Sequence, residues 1–260
     1  MDTLTFLGTG DSMGVPRVYC SCTVCEEART TGRNRRLRSS VLLESGRERL
    51  LVDCGPSWGW QMERLGERSA PPLLITHAHY DHIGGLPEYA DACRWLHRKG
   101  TVYAPAEVAD TLRRMFPWLE NNLAYQPVDE GLVWAGWEIA AWKVCHGRNG
   151  FSYAYRFEKA GYRMVYCPDS ISLNEEEKRP LHDLDLLVLG TNFFKEEAPQ
   201  ASRSVYDVTE ALELAAEVKP RRLLFTHQSH GIDLDTVYPL PEGTAFAREG
   251  MTVPLRREQP

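Results

Sequence analysis

The sequence predicts an α/β (α+β) chain in which sheets pack together beneath covering helices. Three observations carry this: short apolar, β-branched or aromatic runs recur along the chain, helix-like periodicity interrupts them, and no linker divides it. A four-layered αββα sandwich fits, although periodicity alone leaves other α/β arrangements open. With 260 residues, 43% of them hydrophobic, the chain can bury a substantial core. One unit spanning 1–260 is expected, because no repeat, low-complexity tract or Gly-, Ser- or Pro-rich linker separates two parts.

Strands are expected at Leu4–Leu7, Ser40–Leu43, Leu50–Val52, Leu73–Ile75, Phe151–Phe157, Met164–Tyr166, Leu184–Leu189 and Leu223–Phe225. Helices are expected at Gly84–His97, Ala106–Phe116 and Asp207–Val218, the last capped by Asp207 or Thr209 and stopped by Lys219-Pro220. In the first half strands should mostly follow strands through turns such as Ser45-Gly46. In the second half helices should intervene.

The net charge of -6 and pI of 5.8 argue against whole-protein attraction to nucleic acid or an anionic membrane. Arg29, Arg33, Arg35, Arg36 and Arg38 read as a solvated basic loop, since no aromatic residues interleave them to stack bases. The start, Met1-Asp2-Thr3-Leu4, carries no signal-peptide pattern, and no segment approaches 18 uninterrupted apolar residues, so a soluble cytoplasmic protein is expected. Trp95, Met115, Phe116, Trp118 and Leu119 could serve as a homodimer surface or face the core.

The chemistry concentrates in His77-Ala78-His79-Tyr80-Asp81-His82, at the end of an apolar strand. Three imidazoles and a carboxylate in one tight loop form a chelating array for a first-row dication, and Zn, Mn and Fe all tolerate it. His77 and His79 alternate by two, which puts both rings on one face of an extended segment. A second array is Cys20-Ser21-Cys22-Thr23-Val24-Cys25, three thiolates that can close three corners of a tetrahedral zinc site. His230, three residues after His227, is the natural fourth ligand. Three buried free cysteines beside a hydrogen-bonded His is the alternative.

The His-x-His-x-Asp-His run resembles the hallmark of the metallo-β-lactamase superfamily, whose αββα fold this chain is then expected to share. By that resemblance His77, His79 and His146 would hold one divalent cation, Asp81, His82 and His227 another, and Asp169 would bridge them, with Asp53 behind the ligands. It implies a dinuclear hydrolase using a metal-bridging hydroxide, in which Asp81 and Asp169 are catalytic. Leu7-Gly8-Thr9-Gly10, Gly14-Val15-Pro16, the Cys cluster and Thr226-His227-Gln228-Ser229-His230 together resemble a narrower family, the phosphoribosyl 1,2-cyclic phosphate phosphodiesterases of the carbon-phosphorus lyase pathway and their relatives. This implies a structural zinc on Cys20, Cys22, Cys25 and His230, carried by an N-terminal loop at about residues 8–38. It also implies a small phosphodiester substrate, cyclic ones included.

That family has a further His between the bridging Asp and the last His, and Ala201–Asp207 lacks one. Either Tyr206, Arg203 or Ser204 substitutes in stabilising the leaving oxygen, Tyr206 being expected as a catalytic group, or the substrate has a leaving group that needs no protonation. Arg148 and Arg203, with Arg17, are expected to clamp phosphate oxygens. The runner-up activities are lactone, ester or thioester hydrolysis and a nuclease, the last disfavoured because no long basic insertion could grip RNA. A non-catalytic binding relative would have lost ligands, and none is lost here.

Overall fold

A computed structural model of the chain describes residues 1–257. Two seven-stranded sheets face each other. The first contains β1 (Asp2–Gly8), β2 (Ser40–Ser45), β3 (Glu48–Val52), β4 (Leu73–Leu74), β5 (Gly100–Ala104), β6 (Leu123–Pro127) and β14 (Thr252–Pro254), in the order β14-β1-β2-β3-β4-β5-β6. The second contains β7 (Leu132–Trp134), β8 (Trp137–Cys145), β9 (Phe151–Lys159), β10 (Tyr162–Cys167), β11 (Leu186–Gly190), β12 (Leu223–Thr226) and β13 (Thr244–Phe246), in reverse chain order.

The helices are α1 (Thr23–Thr30), α2 (Trp58–Leu65), α3 (Tyr80–Ile83), α4 (Leu86–Trp95), α5 (Ala106–Met115), α6 (Glu175–Lys178) and α7 (Val208–Val218). None among the described residues is long and apolar enough to cross a membrane.

Strand alternation builds the layers. In β2 and β3, Val41, Leu43, Leu50 and Val52 point between the sheets to meet Trp137, Phe157, Met164 and Val188. Leu42 and Leu51 point outward, into a core closed by Trp58 and Met62 of α2, Tyr89 of α4 and Leu112 of α5. On the far side, Val165, Leu187 and Phe225 pack under Val208, Ala211 and Leu214 of α7. Each sheet is therefore buried on both faces, and the architecture is the expected αββα sandwich.

All eight expected strands form, and the three expected helices appear as α4, α5 and α7. Asp207 is the N-cap of α7, accepting from Glu210 N while the Glu210 carboxylate accepts from Asp207 N. The expected division of connections is corrected. Strands β3 to β6 run parallel, so α2, α4 and α5 must cross over between them, whereas β7 to β10 are antiparallel neighbours joined directly. The basic loop is corrected too: Arg36 is only 1% exposed, its guanidinium donating to Ile232 O at 2.8 Å. Of the suggested dimer surface, Leu119 belongs to the core, while Trp95, Met115 and Trp118 are exposed.

Candidate metal centre

The carboxyl ends of β3, β4, β8, β10, β11 and β12 open on one edge of the sandwich, the place where strand-end loops of such sheets bind ligands. Those ends deliver Asp53, His77 and His79, His146, Asp169, Asn192 and His227, while the short α3 adds Asp81 and His82. Gly55 allows this approach, because a Cβ there would lie 1.9 Å from Asp81 O. Two non-glycine residues of the edge, Asp53 (φ 66) and His227 (φ 56), hold left-handed backbone. Asp53 N donates to Leu74 O at 2.9 Å and His227 N to Ser39 Oγ at 3.1 Å, so the surroundings enforce these costly conformations.

Two groups of donor atoms meet on Asp169. His77, His79, His146 and Asp169 form one, and Asp81, His82, Asp169 and His227 the other, all atoms within a group lying within 4.8 Å of one another. His77 Nε2 is 2.8 Å from His79 Nδ1 and 3.2 Å from Asp169 Oδ2. In the second group, His227 Nε2 lies 3.3 Å from Asp81 Oδ2 and 3.1 Å from Asp169 Oδ1, and His82 Nε2 lies 2.9 Å from Asp169 Oδ2. Ligands about 2.0–2.1 Å from a tetrahedral ion would be separated by roughly 3.3 Å. The buried His82 Nε2 and Asp169 Oδ1 have no hydrogen-bond partner among the described residues. Buried lone pairs without donors fit a cation.

Groups behind the donors set the imidazole tautomers. His82 Nδ1 donates to Asp53 Oδ2 (2.7 Å), His146 Nδ1 to Ser204 O (2.6 Å) and His227 Nδ1 to Asn192 Oδ1 (3.1 Å). His77 Nδ1 donates to Thr76 Oγ1 (3.0 Å), which donates to Asp53 Oδ1 (2.9 Å). Asp53 therefore orients two rings, leaving each Nε2 lone pair directed at the shared centre. Asp53→Asn is expected to weaken metal binding about 10–100-fold. Dialysis against graded chelator reads this, and unchanged affinity would reduce Asp53 to packing alone.

Burial drives His77 down to about 3, so it stays neutral at any working pH. Burial also lowers His82, but Asp81, Asp53 and Asp169 outweigh it and pull its proton affinity well up. Burial would raise Asp169, yet His227, His82 and His146 hold it far below the usual carboxylate range. Asp169 and Asp81 likewise outweigh burial and raise His227, so protons on His82 and His227 balance part of the buried carboxylate charge, the place that cations would take.

A cavity of about 360 Å³ opens over the centre, lined by Ser12, His79, Tyr80, Asp81, His146, Asn149, Asp169, Asn192, Ser204, Val205 and His227. Two expected groups are missing from it. Tyr206 is turned into the core, where its hydroxyl accepts from Leu173 N at 2.9 Å and burial pushes it up to about 12. Arg203 is 6% exposed and its guanidinium is taken by Glu196 (3.0 Å) and Glu210 (2.6 Å). Arg148 is exposed on the turn after His146 without lining the cavity, and Arg17 is paired with Asp11. Of the three suggested substitutes for the family His, only Ser204 faces the cavity. Asn149, Asn192 and Ser12 went unnoticed in the sequence because a lone Asn or Ser carries no spacing signal.

The second cluster assembles as expected. Cys20, Cys22 and Cys25 Sγ lie 3.2, 3.5 and 3.5 Å from His230 Nδ1. Tetrahedral zinc with bonds of about 2.3 Å to sulfur and 2.0–2.1 Å to nitrogen requires roughly 3.5 Å between them. All three thiols are free, and burial pushes Cys25 up to about 11, so it needs a cation to become a thiolate.

Residues 48–228 match the family described as the Beta-lactamase superfamily domain. The chain belongs to the metallo-β-lactamase superfamily. The fold of that superfamily implies divalent metal ions, and the His and Asp clusters of this chain fit a metal site. Among solved structures of the superfamily it is similar to a new diphosphatase from the PhnP family, with 27% identity, a TM-score of 0.86 and 98% of each chain covered. Ribonuclease Z of Bacillus subtilis is 24% identical over 285 residues, covering 87% of this chain and 88% of that one. An octanoyltransferase of Porphyromonas gingivalis is 27% identical over 237 residues, 86% of this chain. The chain spans 45% of that relative's length.

Proposed function

We propose that this superfamily member is a dinuclear phosphodiesterase acting on a small phosphodiester, cyclic ones included. His77, His79 and His146 would hold one divalent cation (Zn, Mn or Fe), Asp81, His82 and His227 the other, and Asp169 both. The observation that carries this reading is the position of Asp169, whose two carboxylate oxygens lie within 3.2 Å of His77, His82 and His227 from both donor groups. When bound, the cation pair lowers the pKa of a shared water toward neutrality and polarises the phosphoryl oxygen.

The chain's own groups supply the rest. Two dications would outweigh the three carboxylates of the centre before the shared water ionises, so an anionic diester can approach the cavity without net repulsion. The 360 Å³ cavity is scaled to a small molecule, and Ser204 and Asn149 can donate hydrogen bonds to a leaving oxygen, the role the absent family His leaves vacant. The likeness to the PhnP-family diphosphatase over nearly both whole chains supports hydrolysis at phosphorus. Cys20, Cys22, Cys25 and His230 would hold a structural zinc within the same unit, tying the loop at about 8–38 to the turn that carries His227.

The test is a substrate panel with metal-loaded protein: bis(p-nitrophenyl) phosphate, cyclic nucleotides, ribose cyclic phosphate and lactones. Phosphodiesters should be turned over at least about 10-fold faster than lactones, a difference of about 1.4 kcal/mol in barrier. The reverse ranking would assign the centre to carboxylic ester chemistry.

A further inference from the structure

A second cavity, also about 360 Å³, lies at the opposite edge of the second sheet and is lined by Tyr162, Asp185, Arg221, Arg222, Gly243, Pro254, Arg256 and Arg257. Its residues sit where β10, β11, β12 and β13 begin and where β14 ends. Asp169 and His227 follow the far ends of β10 and β12, and at about 3.3 Å per residue the five positions from Arg222 to His227 separate the two sites by roughly 15 Å.

The charge balance of this cavity is unusual for the molecule. Four guanidinium groups face a single lining carboxylate, a local charge of +3 in a chain of net charge -6. Asp185, whose side chain is 4% exposed, accepts from Arg257 Nε at 2.9 Å and Nη2 at 3.3 Å, and Arg221 Nε lies 3.5 Å away. It also accepts from Arg163 N at 2.9 Å. One carboxylate thus orients two guanidinium groups and is already overcompensated by them. Arg222 and Arg256 make no ion pair among the described residues. Arg221, Arg256 and Arg257 are exposed, so solvent screens much of their repulsion, but the excess of positive charge around one concavity still raises the local potential and attracts an anion. Planar guanidinium forks match phosphate oxygens in pairs.

We propose that this cavity is a binding site for a compact phosphate dianion, either free or as the phosphomonoester of a small molecule. It is separate from the metal centre and independent of the reaction assigned there. Arg222 and Arg256 are its principal contacts, and Asp185 fixes Arg221 and Arg257 around them.

Calorimetric titration of the metal-loaded full chain with inorganic phosphate, and in parallel with glucose 6-phosphate, tests the site. The metal centre can also take phosphate, so the comparison is with the Arg222→Ser/Arg256→Ser double variant. One saturable event should weaken at least tenfold in the variant, while turnover of bis(p-nitrophenyl) phosphate stays unchanged. Tighter binding of glucose 6-phosphate than of phosphate would identify the phosphomonoester as the ligand, and equal binding the free ion. Arg222→Lys/Arg256→Lys, which keeps charge and bulk, should weaken the same event by a smaller factor through loss of the paired hydrogen bonds. Titrations identical in wild type and both variants would overturn the site.

Discussion

Replacing Asp169 with Ala is expected to lower phosphodiester hydrolysis by about a thousandfold or more while leaving the chain folded. A bound dication supplies several kcal/mol of transition-state stabilisation, and each 1.36 kcal/mol is a factor of ten. Asp169 is the one side chain shared by both donor groups, so its loss removes a ligand from each. The metal count should fall with activity, from two catalytic ions per chain to one or none by elemental analysis. Folding should survive, because the variant removes a carboxylate at the sheet edge and leaves the apolar cores on both sides of the sheets intact. A variant that keeps two ions and full turnover would remove Asp169 from the reaction. His227→Ala offers a contrast: it takes one donor from the second group only, so it should lose one ion and retain the other.

How far the site was legible depended on how local its signal was. His77 to His82 stood out because four chemically capable residues lie in six consecutive positions, and α3 and the preceding strand end bring them together without long-range help. His146, Asp169 and His227 are single residues at strand ends, legible only through resemblance, and it is the parallel alignment of β10 and β12 that turns them toward the same centre. The 201–207 stretch misled. Whether Arg203, Ser204 or Tyr206 faces the cavity depends on where α7 lies, and the Glu210 carboxylate on its first turn captures Arg203 while Leu173 takes the Tyr206 hydroxyl. The connections misled for a related reason. Strand β4 is two residues long and α2 only eight, too short for periodicity to announce a parallel crossover. The existence of β2 and β3, by contrast, was visible in their continuous apolar runs, which match burial on both faces.

Cys22→Ala should act on stability before it acts on catalysis. A zinc held by Cys20, Cys22, Cys25 and His230 would close a loop of 205 residues between Cys25 and His230, and a cross-link over that span restricts the unfolded chain strongly. Cross-links of this length contribute about 3–5 kcal/mol, and at 2–4 °C per kcal/mol for a chain of this size the melting temperature should fall by about 10 °C. The same variant should lose its zinc, one metal ion of the three expected per chain. The effect on turnover is indirect: His230 follows His227 by three residues, and the intervening Gln228 is pinned by its amide donating to Phe225 O at 2.8 Å and Ala247 O at 3.0 Å. Those contacts, with Arg36 beneath the turn, keep His227 near its place when the zinc is gone, so well below the melting temperature activity should fall by a smaller factor than in the Asp169 variant. Calorimetric melting with zinc analysis separates the two effects. Unchanged melting together with undiminished zinc would leave the cysteines as packing residues, and loss of activity equal to that of Asp169→Ala would mean that His227 depends on the cluster for its position entirely.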